Sequence, residues 1–579
     1  ISSLPFSKII IIMKKNKGKA KVKTLEKSQD KENIFLRFIT KFPIPYLMLF
    51  LFSLIIYSKS FHYPLDKLDE APIIMSNMPL LLDGSTTDIL QRDALFSKEG
   101  TEFYRPLQNL SFMIDAHLSE GKVLAFHLTN FLLHLFSCFL LYSIFLFFNT
   151  KKIYALLLSL FFCISPLLVH AVAWIPARGD LLFAFFGLLS FRFFLTFFQN
   201  RKIVYLILSI LSFSFAAFSK ETAIVLPFAF IIYVFIYKKQ RSNFIKDIAL
   251  TVPYLCVFVL YIFARSKVIV LPIQDKFGVM EFFNNIFTIP EIIGKFFIPV
   301  NLSPAPVYSI ISSVIGSIVL AGFLFLIYRF RKEKDFKLAI FGIIWFLLLL
   351  VPGMFHSLAI GSHGYDYSEH RAYLPVIGIL FSLSVFLGRI NLKNFYLLFL
   401  VLPVFFLISV FHVEDYKDAK SFYTLVIEKN PEGAMSYYNR GMAYMLSNEM
   451  QAALDDLTTS TNLKSDNADA WYARGFVHHR MRQPEKAIID YEKALMVNKN
   501  HFDACINLGG VKNEMKEYKT AIEIFNKAIE MRPYSGDAFF NRGISKINSG
   551  DVSGACADWQ QAKKLGNNYA SSFINKHCR

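Results

Sequence analysis

A chain of 579 residues with 54% hydrophobic residues, 63 of them Phe, and a mean hydropathy of +0.40 is too long and too apolar for one soluble domain. The formal charge of +18 collects in an N-terminal arm and in short connections between apolar runs, where membrane topology accounts for it. With no nucleic-acid motif or basic recognition helix beside it, that charge argues against a nucleic-acid partner.

Ile1 to Ile12 precede Met13 with no small-residue cleavage site, so a cleaved signal peptide is not expected. The Lys-rich arm over residues 1–41 lacks aromatics and apolar period in its Lys14 to Asn33 stretch, and is expected to be disordered and cytoplasmic. Apolar runs near 42–57, 124–148, 153–172, 181–198, 203–218, 222–237, 247–264, 308–328, 338–355, 372–388 and 394–411 then predict about eleven membrane spans over 42–411. Between the first two lies a polar external loop, 58–123, around which the rest is organised. The run Asn285 to Pro299, amphipathic and interrupted by Pro290 and Gly294, reads as interfacial or re-entrant.

Alternation of positive charge tests the count. Every second connection is basic: Lys151-Lys152, Arg201-Lys202, Lys238-Lys239 with Arg241, Arg329 with Arg331 and Lys332, and Arg389 with Lys393. A cytoplasmic N-terminus and an odd number of spans place the C-terminal module outside, in a periplasm or an organellar lumen. The same topology gathers polar residues on that outer face: Asp69-Glu70, the turn from His170 to Asp180 with Trp174 and Arg178, Ser219-Lys220-Glu221, the connection from Arg265 to Pro306, and Glu369-His370-Arg371. Charges beside membrane spans are costly unless paired, hydrated or functional. A transporter would place its site nearer the midplane between repeated halves, and no internal repeat shows among the spans.

After His412 the pattern changes to a period of about 34 residues, the tetratricopeptide repeat. Gly441, Gly475, Gly509 and Gly543 stand in register, as do Ala453, Ala487, Ala521 and Ala555, with Tyr437, Trp471 and Phe539 at a shared aromatic position. Repeats are expected near 434–467, 468–501, 502–535 and 536–569, behind a partial hairpin, within a module 412–579 that stacks into an α-solenoid able to bind peptide. Of the six cysteines, Cys138, Cys163 and Cys256 fall in apolar spans. Cys505, Cys556 and Cys578 lack zinc spacing, so all six read as buried thiols and no metal site is expected.

The outer face holds the ingredients of group transfer. A carboxylate such as Asp69 or Glu70 can deprotonate a hydroxyl nucleophile, with Asp66, Glu102 and Asp115 also eligible. Lys, Arg and His beside it can hold a phosphate.

The ordered segments Leu68-Asp69-Glu70-Ala71-Pro72, Tyr104-Arg105-Pro106-Leu107, Phe126-His127-Leu128-Thr129-Asn130, Trp174-Ile175-Pro176-Ala177-Arg178-Gly179-Asp180, Ser219-Lys220-Glu221 and Glu369-His370-Arg371-Ala372-Tyr373-Leu374-Pro375 resemble the GT-C class of multispanning glycosyltransferases. The likeness is to the transmembrane-and-tetratricopeptide-repeat O-mannosyltransferases and their bacterial relatives, and it covers nearly the whole chain. The resemblance implies an all-α fold: a GT-C-like membrane helix bundle followed by the repeat solenoid. It also implies an inverting transfer of a sugar, mannose among the possibilities, from a polyprenyl-phosphate donor to a hydroxyl on protein Ser or Thr at the extracytoplasmic face, with no cofactor or metal.

Carried over, the resemblance gives Asp69 as base with Glu70 second, although the acidic pair here is Asp-Glu where the family has Asp-Asp. Arg178, Lys220, His370 and Arg371 are then donor-phosphate contacts, and Glu369 positions a cation. Arg105, His127, Asn130, Asp180 and Glu221 support the site or hold substrate, His127 and Asn130 serving equally well as interhelical glue. The bilayer, the lipid-linked sugar and a protein acceptor are the expected partners, and a bacterial inner membrane the expected location. A membrane-anchored repeat receptor or scaffold without catalysis, or a polyprenyl-linked glycan polymerase or ligase, are the competing readings.

Overall fold

The computed structural model describes residues 38–67, 70–94, 96, 103–237, 249–269, 278–304, 308–332, 336–355, 369–387 and 396–578. The basic arm expected to be disordered, Asp69, Glu102 and the connection at 356–368 lie outside the described residues. Among those described there are helices and turns and no strand.

Among the described residues, five helices are long and apolar enough to cross a membrane: Ile44–His62, Val123–Phe147, Ile175–Asn200, Ile310–Arg329 and Phe336–Phe355. Lys152–Cys163 and Pro166–Ala173 make a sixth if their bend of 48° is one broken span. Pro166 explains the break, since its ring cannot sit in a helix interior and its predecessor is pushed out of helical geometry. Ile203–Ala217, Glu221–Tyr237, Val376–Leu387 and Leu400–Glu414 are shorter apolar helices. The expected count of eleven is therefore not confirmed: helices occupy the predicted places, but five or six have a full span's length. A helix of 15 residues such as Ile203–Ala217 reaches only about 22 Å, short of a hydrocarbon core of about 30 Å.

Thr288–Phe297 is a 10-residue helix and reaches only about 15 Å, in keeping with an interfacial or re-entrant position. Pro290 does not interrupt it, because it sits in the first turn where no amide need donate. Gly294 is a contact rather than a break: a Cβ there would lie 1.9 Å from the Ser312 carbonyl oxygen, and one at Gly316 1.6 Å from that of Pro290. Backbone meets backbone at this crossing, as at Gly342 and Gly378, where each Cβ would fall 2.3 Å from the other's carbonyl oxygen. Small residues do this work in lipid, where dispersion and interhelical hydrogen bonds replace a hydrophobic drive. Ser190 and Ser209 supply such bonds, each hydroxyl donating to the other's carbonyl at 2.8 and 2.7 Å.

The polar loop between the first two apolar runs folds into a cap with its own core. Short helices Met78–Asp83 and Thr86–Leu90 and the longer Pro106–Ser119 bury Leu65, Ile74, Leu81, Ile89, Phe112 and Phe126 together with Ile175 of the turn before the helix from Arg178. The main core runs without a break from the membrane helices into the first repeat hairpin through Val413, Tyr416, Phe422 and Val426. Lys59 and the Tyr63 hydroxyl both reach Glu414, the latter at 3.2 Å, and tie the cap to the same junction.

Paired helices follow at Ala434–Leu446 and Met450–Leu463, Ala468–Arg480 and Pro484–Val497, Phe502–Glu514 and Tyr518–Met531, and Gly536–Asn548 and Val552–Lys564. Their in-register glycines make the close approach that the sequence expects: Cβ atoms at Gly441, Gly475, Gly509 and Gly543 would fall within 2.5–2.9 Å of Leu457, Tyr491, Phe525 and Trp559. An ion-pair ladder repeats beside them, Arg440 to Asp456, Arg474 to Asp490 and Arg542 to Asp558, each bidentate. The third repeat has Leu508 and Ile524 in those two positions, both packed in the apolar core. Arg474→Leu leaves the Asp490 carboxylate buried without its partner and is expected to cost about 3–5 kcal/mol. The double variant Arg474→Leu with Asp490→Ile reproduces the third repeat's solution and is expected to recover most of that stability. Thermal unfolding of the single and double variants checks this, and additive losses would contradict it.

Candidate active site

The ends of the apolar helices that meet the cap carry a network of buried charge. Arg105 ends the cap's extended stretch just before Pro106, whose fixed φ suits the first helical position. Its guanidinium grips Glu221 through two parallel bonds of 2.9 and 2.7 Å. Lys220, one residue earlier, donates to Asp180 at 2.5 Å. The His370 Nε2 stands 3.9 Å from the other Asp180 oxygen. Gly179 permits the convergence, since a Cβ there would come within 2.5 Å of the Gln108 side chain and 3.2 Å of the Ser219 carbonyl oxygen. Five expected site residues, Arg105, Asp180, Lys220, Glu221 and His370, thus meet in one place. Burial works against the Lys220 ammonium and holds its pKa below the ordinary value despite Asp180. Arg371 lies partly buried beside them, its Nη1 3.5 Å from the Gly353 carbonyl oxygen.

His370 differs from the cation expected for it. Burial first, then Lys220, Arg371 and Arg105, push its imidazole well below the ordinary histidine value. The ring is neutral and offers hydrogen bonds, not charge. A depressed folded value means that the unfolded imidazole, titrating near about 6.5, takes up a proton that the folded one refuses. The contribution to stability is present above that pH and is lost as pH falls below it. His370→Gln is expected to flatten the decline of the unfolding temperature between about pH 6.5 and 5, and an unchanged slope would show that the ring titrates freely in the fold.

Other expected contacts turn inward. Arg178 is fully buried. It pairs with Asp115 at 2.8 Å and donates to Asn130 Oδ1, to the Phe126 carbonyl at 2.7 Å and to the Ser111 hydroxyl at 3.1 Å. With those donors engaged, Arg178 fastens the cap helix to the second span. Asn130 also donates to the Val172 carbonyl at 3.2 Å, and the His127 Nε2 donates to the Tyr63 carbonyl at 3.0 Å. Both act as interhelical glue. Glu70 is buried as well, paired with Lys67 at 2.9 Å and accepting from the Ile175 amide at 3.1 Å. Burial raises its pKa against the pull of Lys67. Glu369 accepts from Lys295 and the Ser303 amide, at 3.0 and 3.1 Å, and Lys295 also meets Glu291 at 3.1 Å. It positions Lys295, which lies away from Lys220 in sequence and was not foreseen.

Sequence reasoning named the turn from His170 to Asp180 with Trp174 but gave these side chains no role, and it missed Tyr416, which joins them near His370. His170 lies 5.0 Å from His370, 5.0 Å from Trp174 and 5.7 Å from Tyr416, centroid to centroid. Tyr416 falls after the last predicted span, in a different module. Elsewhere, His134, Cys138 and Cys163 bring metal-capable atoms within 4.8 Å of one another in the buried core. Both ring nitrogens of His134 are engaged, Nδ1 with the Tyr373 hydroxyl at 2.7 Å and Nε2 with the Cys163 carbonyl at 3.1 Å, so a metal would have to displace these bonds. Cys556 and Cys578, read as free thiols, form a disulfide with Cα atoms 5.7 Å apart that fastens the last helix to the final repeat. Cys256 is exposed rather than buried.

Residues 108–268, which carry Arg178, Asp180, Lys220 and Glu221, match a family model described as dolichyl-phosphate-mannose-protein mannosyltransferase. Residues 468–501 and 502–535 match tetratricopeptide-repeat models. Over 402 residues the chain is 26% identical to "Protein O-mannosyl-transferase F38B6.6" of Caenorhabditis elegans, a stretch covering 64% of this chain and 55% of that protein. The chain is similar to the protein O-mannosyl-transferases.

A second relative, "Protein O-mannosyl-transferase TMTC4" of Mus musculus, is 33% identical over 141 residues, 21% of this chain and 19% of that protein. The chain thus spans about half the length of the worm protein and about a fifth of the mouse one. Among solved structures, that of MamA is 24% identical with a TM-score of 0.25, covering 27% of this chain and 86% of that one. The likeness to O-mannosyl-transferases read from the motifs is borne out, as is the all-α organisation of apolar helices followed by repeats.

Proposed function

We propose that the chain moves a sugar from a polyprenyl-phosphate donor to a hydroxyl on a protein acceptor, at the extracytoplasmic face. The observation that carries this is the meeting of Arg105, Glu221, Lys220, Asp180 and His370 at the outer ends of the helices, three of the five within the stretch that matches the mannosyltransferase model. Lys220 and Arg371 are the cations for the donor phosphate, Asp180 and Glu221 hold the cluster's geometry, and Asp69 is the base on the acceptor. Phosphate is a competent leaving group once paired with cations, so one base on the acceptor side serves an in-line, inverting displacement. No cofactor or metal is required in this scheme. The lipid-linked sugar is a co-substrate.

The disulfide Cys556–Cys578 supports placing the repeats outside, since such bonds persist in oxidising compartments. The repeat surface favours a polypeptide acceptor. The cavity of about 260 Å³ between Asp66 of the cap and Asp418, Tyr423 and Met442 of the first hairpins joins the two modules near the acidic segment. Lys220→Gln, which keeps a donor toward Asp180, is expected to raise KM for the polyprenyl-phosphate sugar about tenfold or more, the effect of one charge-assisted contact. An unchanged KM would remove Lys220 from the donor site.

A further inference from the structure

The mechanism above uses one side of the outer cluster and leaves the other unused. There, buried polar atoms from three separate stretches of chain have no hydrogen-bond partner among the described residues. They are both ring nitrogens of His170, Trp174 Nε1, His370 Nδ1, Tyr416 Oη, His412 Nε2 and Glu369 Oε2. Apart from His370, each of these residues is more than nine-tenths buried. The rings touch in one cluster: Trp174 and His370 stand 5.4 Å apart, His412 and Tyr416 5.6 Å, with His170 between Trp174 and Tyr416. A buried donor or acceptor left unpaired is costly, and native folds pair more than nine in ten of them. Seven such atoms in one cluster mark a place built to be completed by something else.

The chemistry of these groups says what. Burial raises the Tyr416 phenol above its ordinary value and lowers His370, so the hydroxyl keeps its proton and the imidazole stays neutral. The imidazoles of His170 and His370, an indole and a phenol offer both donors and acceptors, and flat apolar faces beside them. An anion would want donors and positive charge. A polyhydroxylated ring, with hydroxyls that donate and accept around a C–H face, matches the set.

We propose that His170, Trp174, His370 and Tyr416 form a hexose subsite, edged by His412 and the free oxygen of Glu369, which holds the donor's sugar ring while Lys220 and Arg371 take its phosphate. This rests on the transferase reading and extends it. The discrimination it supplies is between a polyprenyl-phosphate that carries a sugar and one that does not. Tyr416→Phe is the sharpest variant, because it removes only an unpartnered buried hydroxyl and leaves the ring packing intact.

The test compares binding of polyprenyl phosphate and polyprenyl-phosphate mannose to the full-length protein in detergent, alongside sugar transfer and the unfolding temperature. Wild type is expected to bind the mannosylated lipid about tenfold more tightly, the scale of one or two net hydrogen bonds. Tyr416→Phe and His170→Gln are expected to lose most of that preference while binding the sugar-free lipid as wild type does, with Tyr416→Phe at least as stable as wild type. Variants that keep the full preference, in a protein that transfers sugar, would overturn the subsite and leave the transferase reading standing. A folded wild type that transfers no sugar and binds neither lipid would overturn both.

Discussion

Arg178→Leu is expected to destabilise the protein by about 3–5 kcal/mol, whatever it does to activity. The resemblance casts this arginine as a phosphate contact. The structure spends it otherwise: the guanidinium is fully buried, paired with Asp115, and bonded to Asn130, Ser111 and the Phe126 carbonyl, with the Phe112 ring 5.1 Å beneath it. Its loss leaves the buried Asp115 carboxylate with the Thr129 hydroxyl at 2.6 Å but without its cation, and removes the donor to the Asn130 amide oxygen, the circumstance in which breaking an ion pair is most costly. Thermal unfolding in detergent reads the effect directly. An Arg178→Leu protein that unfolds like wild type but loses affinity for the lipid donor would return Arg178 to the role its motif suggests.

Asp69→Asn is expected to lower sugar transfer by about 10²–10⁴-fold, the range of a positioned general base, with the unfolding temperature unchanged. Its neighbour should behave in the opposite way. Glu70 points into the cap, where Lys67 and the Ile175 amide hold its two oxygens. Glu70→Gln breaks the buried Lys67–Glu70 ion pair within the cap, beside the bond that the Ile175 amide donates to the same side chain, and is expected to reduce stability more than it reduces the turnover of molecules that stay folded. The two single variants, compared by transfer rate per folded molecule, separate a base from a structural carboxylate. A Glu70→Gln protein that is fully stable and inactive, beside an active Asp69→Asn, would exchange the roles.

What the sequence made legible was whatever repeats or runs. The 34-residue period fixed the glycines at 441, 475, 509 and 543, and each lies against a large side chain of its partner helix, because a periodic position implies a periodic contact. Long apolar runs placed the membrane helices, but not their number, because run length does not show where Pro166 breaks a helix or how short Val376–Leu387 is. Sidedness brought Asp180, Lys220, Glu221 and His370 to one face. It could not show that Lys220 pairs with Asp180, 40 residues away, or that Arg105 pairs with Glu221 across 116. Arg178 and Asp180 sit two residues apart in one motif and look equally charged in a string of letters. On the helix they point to different surroundings, one into the packed cap and one toward Lys220 and His370. Cys556 and Cys578 were opaque for a related reason: 22 residues of two helices fold back to bring them together, and no local spacing records it.

The most direct test is transfer of radiolabel from polyprenyl-phosphate sugars by the purified full-length protein, offered an extract of membrane and extracytoplasmic proteins. The expected result is label on protein, released as a single sugar and dependent on Asp69. Label appearing instead in a lipid-linked glycan chain would make the chain a polymerase or ligase, and a folded protein that moves no label from any of several donors would contradict the transferase account and leave the outer cluster as a binding site of a repeat receptor.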